Sequence, residues 1–461
     1  MGDLYRKYYD VVVAGGGVSG ATSAIAAGRQ GASVLVVEQN GYLGGSLTGC
    51  GVGPMMTFHA GEKQVIRGMM QEIVDRLTEN GYSRGHVRDT TRYVSHVTPF
   101  DPEGLKRILD QMTEEAGCHV LLHSFLGGVE MENGRISGLT VCNKDGLHTV
   151  HGSVYIDATG DGDIMAWSGC EYTRGRPEDE APQPMTMNMK YANVDTKTLK
   201  DYVRGHLEDF PRLKHNLDLL NSDEPFALAG FNSVWGQAAK DGELSIPRED
   251  VLMFETIHPG EFIVNTTRIL NADATSAQGL SNAEKIGRRQ CAELDAFLHS
   301  HAPGFEHAIL EFTGPSVGIR GSRQLVGKYR ITAEDILSGR QFDSRICLSG
   351  YPIDIHNPSG QGTETHYVGG KNSGGYYSIP YEIMVPKEVP NLLVPGRCAS
   401  ASFEDSFRRF HGTGRRDRRR YGGAGKPAGR NHCCRQAAGH AQKTGSAAGS
   451  LIRKRISRST T

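Results

Sequence analysis

Arg320 and Arg323 stand three residues apart in Gly-Ile-Arg-Gly-Ser-Arg, and Asp354 and His356 stand two apart in Tyr-Pro-Ile-Asp-Ile-His. A guanidinium presents a planar fork that matches the two oxygens of a carboxylate. The arginines are therefore candidates for gripping an acidic substrate; pairing with Asp or Glu between structural units is the alternative. Residues i and i+2 of a strand share a face, which sets Asp354 beside His356. An imidazole exchanges protons near neutral pH, although a purely structural histidine competes with that role. His59, in Met-Met-Thr-Phe-His, is a weaker candidate of the same kind. Cys50 and Cys398 have no cysteine close by in the chain, so each reads as a buried thiol rather than half of a redox dithiol. Asp161 and Asp163 carry the chemistry of metal ligands but read better as turn caps.

These side chains need a frame, and the first forty residues supply it. The run Asp10–Ala14 has the composition of a buried strand, and Gly15-Gly16-Gly17-Val-Ser-Gly20 follows it. An Ala-rich helical stretch then runs from Ala21 to Arg29, and Ser33 to Glu38 reads as a second parallel strand. The glycines have separate tasks: Gly15 permits the turn, Gly17 admits a pyrophosphate, and Gly20 lets helix and strand pack closely. The helix start presents free N–H groups and the positive end of its dipole to phosphate. Glu38 closes the second strand, where a carboxylate accepts hydrogen bonds from ribose hydroxyls and disfavours a 2′-phosphate. Strand, turn, helix, strand and acid in register indicate dinucleotide binding. Directly afterwards comes Gly41-Tyr-Leu-Gly44-Gly45-Ser-Leu-Thr48-Gly49. Such a loop can wrap a cofactor that continues past its pyrophosphate to a large ring; a flexible surface loop is the alternative.

Further along, a helix is expected at Pro102–Glu115, a strand at 119–122 and a hairpin across Glu132-Asn-Gly134. A strand at 153–156 runs into Asp157-Ala-Thr159-Gly160-Asp161-Gly162-Asp163, a second tight turn at the carboxyl end of the sheet. The Gly-x-Gly-x-x-Gly with its terminal acid, the Gly-Gly-Ser-Leu-Thr loop and the Asp-Ala-Thr-Gly-Asp-Gly-Asp turn together resemble the FAD-dependent oxidoreductase family. That group of flavoproteins is related to glutathione reductase, fumarate reductase and the flavin subunit of heterodisulfide reductase. The resemblance extends over residues 8 to 403 through the Arg320 and Asp354 segments, Tyr377-Ser-Ile-Pro-Tyr381 and Asn391-Leu-Leu-Val-Pro-Gly396-Arg397.

The resemblance implies an α/β fold, in which a Rossmann-like FAD-binding domain with helices on the faces of a parallel sheet carries an inserted α+β substrate domain. The expected parts are residues 1–170 and 317–405 for the FAD-binding domain and 171–316 for the substrate cap, with 406–461 as an atypical basic tail. By the same resemblance Gly15, Gly16, Gly17 and Gly20 hold the FAD pyrophosphate and Glu38 the adenosine ribose. Gly44, Gly45 and Thr48 pass beneath the flavin, Leu126 lies near the adenine, Thr159 and Gly160 close the cleft, and Gly396 and Arg397 return to the flavin. Arg320, Arg323 and His356 are the candidate catalytic residues; the flavin supplies hydride transfer and the protein orients substrate and tunes charge. The cap region offers no decipherable motif. It holds probable helices at 196–208 and 281–299, and Phe231 and Trp235 fit a pocket or a core equally well.

The chain has 461 residues, with 38% hydrophobic and 22% charged side chains and a net charge of −1. These values suit a soluble globular protein large enough for a substantial core. No apolar run is long enough to span a membrane and the first residues lack a signal-peptide core. Nine scattered cysteines without a Cys-x-x-Cys pair indicate a reducing, cytoplasmic setting and no local zinc or iron–sulfur signature. The near-zero charge conceals an asymmetry. From Ser406 onward 15 Lys and Arg face one acid, Asp417, which leaves the preceding 405 residues at −15. An acidic body makes nucleic acid an improbable partner. The tail has three readings: a basic arm, an extension without a fold, or a change of reading frame. Its abrupt Arg/Gly/Ala composition favours the last, which would remove the small-residue helix with which the family usually continues.

Three functions follow. The first is oxidoreduction of a small polar metabolite, carboxylate or sugar-like. The second is an electron-transfer flavin subunit of a heterodisulfide-reductase-like complex with an iron–sulfur partner; a nicotinamide is the other electron partner considered. The third is a catalytically impaired flavoprotein.

Overall fold

A computed structural model of the chain describes residues 4–5, 7–370 and 373–402; the 406–461 segment and its three readings lie outside the described residues. The frame is a seven-stranded sheet. Five strands run parallel in the order His119–Leu121, β2 (Val34–Val37), β1 (Tyr8–Ala14), the end of the long strand Gly146–Asp157, and Leu392–Leu393. The beginning of the same long strand pairs antiparallel with Arg135–Asn143, which pairs with Phe125–Glu132. Asn133 and Gly134, at φ of 50° and 72°, make the two-residue turn that this hairpin requires.

Alternation along the strands builds a core on each face. Val11, Val13, Val34, Val36 and Ile156 face α1 (Val18–Gly28) and the Pro102–Glu115 helix, packing on Ala21, Ala24, Ile25, Leu105 and Leu109. Val12, Ala14, Leu35, Val37 and Tyr155 face the other side, where Ile136, Leu139, Met165, Leu392 and Val394 cover them. Small residues on α1 let it lie close to the sheet. The Pro102–Glu115 helix begins as its sequence demands: Asp101 accepts the Glu103 amide at 2.7 Å and proline occupies the first position.

Between residues 185 and 317 a separate core forms around a five-stranded antiparallel sheet. Its order is Ala227–Gly230, Val251–Glu255, Phe262–Val264, Met189–Ala192 and Ile309–Thr313. The 25-residue helix Ala277–His301 packs its buried stripe of Ala283, Cys291, Leu294 and Leu298 against it. Phe231 and Trp235 are fully buried in this core, which resolves the two readings in favour of packing. The two bodies meet along residues 314–320. Gly314 donates to the Asn188 carbonyl and Gly318 exchanges backbone hydrogen bonds with Thr186. Among the described residues, no helix is long and apolar enough to cross a membrane.

Candidate functional site

The glycine motifs, distant in sequence, are in mutual contact. Gly15 has φ of 91°, and a Cβ there would stand 2.2 Å from the Ala158 carbonyl oxygen, so the first turn lies directly on the Ala158-Thr159 turn. A Cβ on Gly20 would stand 1.8 Å from the Gly15 oxygen. Gly17 bridges Gly44, the Gly44 amide donates to the Gly16 carbonyl at 2.9 Å, and a Cβ on Gly45 would meet the Gly17 Cα at 2.9 Å. Gly396 closes the ring against Ser19, at the beginning of α1. No side chain caps α1, and above Gly17 the space is open save for the Gly45 Cα at 3.7 Å. A bare backbone and an uncapped helix start fit a diphosphate.

Glu38 is buried, and its carboxylate is already oriented. Oε2 accepts the Gly16 amide at 2.6 Å, and Oε1 accepts the backbone and side-chain amides of Asn40, each at 2.8 Å. A carboxylate has about four acceptor sites, so capacity remains for ribose hydroxyls. Thr48 turns its hydroxyl back to the Leu43 carbonyl at 2.7 Å, stabilising the loop itself. Leu126 packs half-buried in the core on the face away from α1; the segment just before it borders Glu38, whose carbonyl accepts the Ser124 amide.

The Asp157–Asp163 turn is tied down by two arginines. Arg397 donates to the Gly160 carbonyl at 2.7 Å, the Ile319 carbonyl at 2.9 Å and Asp161 at 3.0 Å. Arg323 donates to the Asp161 carbonyl and pairs with Asp163 at 3.0 Å. Asp161 and Asp163 thus anchor arginines, and among the described residues no group of three or more His, Cys, Asp or Glu side chains is arranged to hold a metal. Thr159 bonds to Asp157 at 2.7 Å and in turn accepts the Gly162 and Asp163 amides. Burial pushes the Asp157 carboxyl up to about 6, against the hydrogen bonds it accepts.

Arg320 and Arg323 therefore do not form one fork. Arg323 is occupied by the turn, whereas Arg320 reaches toward the cap and donates to the Thr186 hydroxyl at 3.3 Å. Arg320 makes no direct ion pair among the described residues and lies in the field of Asp354, Tyr351, Tyr93 and Arg248. His356 faces Asp354 across 3.4 Å, as their spacing anticipated, and its other ring nitrogen lies 2.9 Å from the Thr363 hydroxyl. Both ring nitrogens of His356 thus have partners within the protein. Burial and the Arg320 charge bring its pKa down to about 4, so it is neutral at neutral pH. Burial works against ionisation of Asp354, but the hydrogen bond from His356 and the nearby charges hold its carboxyl below the usual range. The Tyr351 hydroxyl lies 3.4 Å from Asp354, and the Tyr93 and Tyr351 rings meet edge to face at 6.1 Å. Burial raises both phenols, which stay protonated. Two tyrosines that spacing did not single out thus stand at this junction. Tyr351 lay within a quoted motif; Tyr93 carried no signal.

The remaining candidates are structural. Cys50 bonds weakly to Ser316 and the Val317 carbonyl at 3.4 Å, and Cys398 to the Gly160 carbonyl at 3.1 Å. Burial raises both thiols, Cys398 to about 12. The His59 ring lies 4.3 Å from that of His96, tilted by 30°, and meets His86 edge to face at 4.9 Å.

Among proteins of known identity, the chain is 27% identical over 223 residues to digeranylgeranylglycerophospholipid reductase 2 of Methanothermobacter thermautotrophicus, covering 44% of this chain and 54% of that protein. It is 35% identical over 138 residues to thiamine thiazole synthase of Aeropyrum pernix, covering 29% and 43%. The chain thus spans about half the length of the curated relatives it matches. Among solved structures, a geranylgeranyl bacteriochlorophyll reductase-like protein from Thermoplasma acidophilum aligns at 14% identity over 85% of this chain and 72% of that one, with a TM-score of 0.43. The flavin-dependent brominase Bmp2 aligns at 12% identity over 69% of each chain, with a TM-score of 0.42. The FAD dependent oxidoreductase family matches residues 10–406, which include every glycine turn and polar cluster described above, and the chain belongs to that family.

Proposed function

We propose that this FAD-dependent oxidoreductase passes hydride or electrons between its flavin and a small polar metabolite, held at the junction around Arg320. The observation that supports this reading is the contrast between the two arginines: carboxylate and carbonyl groups of the turn satisfy Arg323, whereas Arg320 is left with one hydroxyl at 3.3 Å beside the cap. The relatives are named for a glycerophospholipid and for thiazole synthesis; the charged and phenolic lining here favours a polar substrate.

Gly15, Gly16, Gly17 and Gly20 would hold the FAD diphosphate and Glu38 its ribose. Gly44, Gly45, Thr48, Thr159, Gly160, Gly396 and Arg397 would border the ring end, and Leu126 the adenine side. The bound flavin supplies the redox chemistry. Arg320 orients an acidic or hydroxylated substrate. Tyr351 is protonated at neutral pH and can hand over a proton at its hydroxyl while Asp354, kept ionised by His356, accepts one. Electrons would leave to a nicotinamide or an iron–sulfur protein.

The test is anaerobic bleaching of the FAD-loaded protein with a panel of hydroxy acids and sugar acids. Bleaching by at least one of them is expected, with Arg320→Gln raising its KM at least about 10-fold, the loss of one charge-assisted contact. Bleaching only by an apolar isoprenoid lipid would overturn the polar reading, and unchanged kinetics in Arg320→Gln would remove Arg320 from substrate binding.

A further inference from the structure

Two arginines of the cap, Arg248 and Arg268, lie near Arg320: both bond to the 361–362 turn, and Ile269, next to Arg268, bridges Met185, next to the Thr186 that accepts Arg320. Arg268 feels the charges of Arg248, Arg320 and Asp354, and His356 feels those of Arg320 and Arg248. Both cap arginines are at least nine-tenths buried, at 9% and 3% exposure. Each has a buried Nε without a hydrogen-bond partner in the protein. Buried donors are almost always satisfied, and a native structure that leaves them over signals a ligand or water.

Their backbones are fixed. The Arg248 carbonyl accepts the Trp235 indole at 2.8 Å and the Gln361 amide at 3.0 Å. Gln290 brackets Arg268, accepting its amide and donating to its carbonyl, each at 2.9 Å. One Arg268 Nη donates to the Asn357 and Gly362 carbonyls at the tip of the Ile353–His356 hairpin, which holds that hairpin to the cap. Arg248 reaches Asp250 only at 3.4 Å. Among the buried groups, three guanidiniums face two carboxylates, Asp250 and Asp354, which leaves one positive charge in excess. The exposed rim adds one charge of each sign, Arg212, 3.7 Å from Asp250, and Glu249, whose field reaches Arg268, so the excess stands. Burying like charges together is unfavourable, and burial with the Arg248 charge pushes the Arg268 guanidinium down to about 10. A single negative charge arriving between them would reverse that penalty.

We propose that Arg248, Arg268 and Arg320 form the receptor for one carboxylate group of the substrate, with the cap arginines as binding residues. The proposal rests on the polar reading above and narrows it to monoanionic carboxylates. The excess of one charge argues against a phosphate monoester, which carries nearly two.

Thermal-shift and calorimetric titrations of the FAD-loaded protein with acetate, benzoate, inorganic phosphate and neutral acetamide, at constant ionic strength, test it. The expected result is saturable stabilisation by a carboxylate, none by acetamide, and at least a tenfold weaker carboxylate affinity in both Arg248→Gln and Arg268→Gln. Arg268→Gln also removes the hairpin clamp; Arg248→Gln makes no such change and decides the question if Arg268→Gln fails to fold. Unchanged carboxylate affinity in Arg248→Gln, equal binding of acetamide, or preference for phosphate would overturn the proposal. Repeating the titration on cofactor-free protein separates the two readings. Carboxylate binding without any flavin bleaching would sink the redox reading alone, and bleaching by a neutral substrate unaffected by either variant would sink this inference alone.

Discussion

Asp354 illustrates how neighbours assign roles to residue types. A carboxylate and an imidazole pair within the field of a guanidinium; burial, with the guanidinium's charge, keeps the imidazole neutral, while both neighbours help keep the carboxylate ionised. The coupling makes a prediction with a fixed sign. Arg320→Gln removes a positive charge that lowers both groups, so the His356 and Asp354 pKa values should rise. Ring-proton NMR of His356 against pH would show a midpoint above its present value of about 4; an unmoved midpoint would mean that Arg320 does not face this pair. A steric prediction belongs to Gly20, where an added Cβ would lie 1.8 Å from the Gly15 oxygen. Gly20→Ala should cost about 1–3 kcal/mol of stability by overpacking and weaken FAD binding. Urea denaturation and fluorescence titration with FAD measure the two effects.

At the level of elements, the cap positions its arginines through buried contacts of its own. Trp235 sits on the Asn232–Lys240 helix and its indole N–H holds the Arg248 carbonyl. Trp235→Phe keeps most of the apolar packing but removes one of that carbonyl's two donors, leaving the Gln361 amide, for an expected loss of about 0.5–1.5 kcal/mol in urea denaturation. An undiminished stability would show that the hydrogen bond is dispensable. The three histidines behave as another unit, formed where the His59–Ala60 strand approaches the His96–Val97 strand. Burial lowers all three, His59 from 6.5 to about 4; repulsion adds to it, from His96 and His86 on His59, from His96 on His86 and from Arg88 on His96, against opposing fields from Glu62 and Asp75. Because the unfolded chain binds these protons first, stability is full above about pH 6.5 and falls as pH drops toward 4. The melting temperature should therefore decline across that window, and His59→Phe should flatten the decline. An identical acid limb in the variant would exclude the cluster as its source.

Across the whole molecule, Arg397 joins three remote pieces: the last described strand region, the Asp157–Asp163 turn and the 314–320 connection to the cap. Its three hydrogen bonds go to Gly160, Ile319 and Asp161. Arg397→Ala leaves Asp161 with the Ser322 hydroxyl and frees the turn that borders the proposed flavin site. A stability loss of about 1.5–3 kcal/mol is expected for losing charge-assisted hydrogen bonds, together with weaker FAD binding. If FAD affinity stayed at the parent level while stability fell, the residue would serve the scaffold only.

Much of this arrangement is written in local pattern. The Gly15–Gly20 spacing, Glu38 at the end of β2, the Asn133-Gly134 turn and the Asp101-Pro102 helix start follow from interactions between residues a few positions apart, so their elements stand in the sequence. The expected helix at Pro102–Glu115 forms over that very range, and the long cap helix extends only a few residues beyond its anticipated ends. The Asp354–His356 pairing was legible for the same reason, since strand geometry alone sets i beside i+2. What the sequence left open was decided by contacts between distant elements. Arg320 and Arg323 look alike in the chain; they part company because Asp163 lies under one and the cap under the other. Tyr93, Arg248 and Arg268 come from three separate segments with no shared spacing, and only the docking of the cap sheet and the Ile353–His356 hairpin brings them to the Asp354–His356 pair. A motif records the bonds that a short stretch makes with itself, whereas a substrate site formed between two bodies depends on how their surfaces meet.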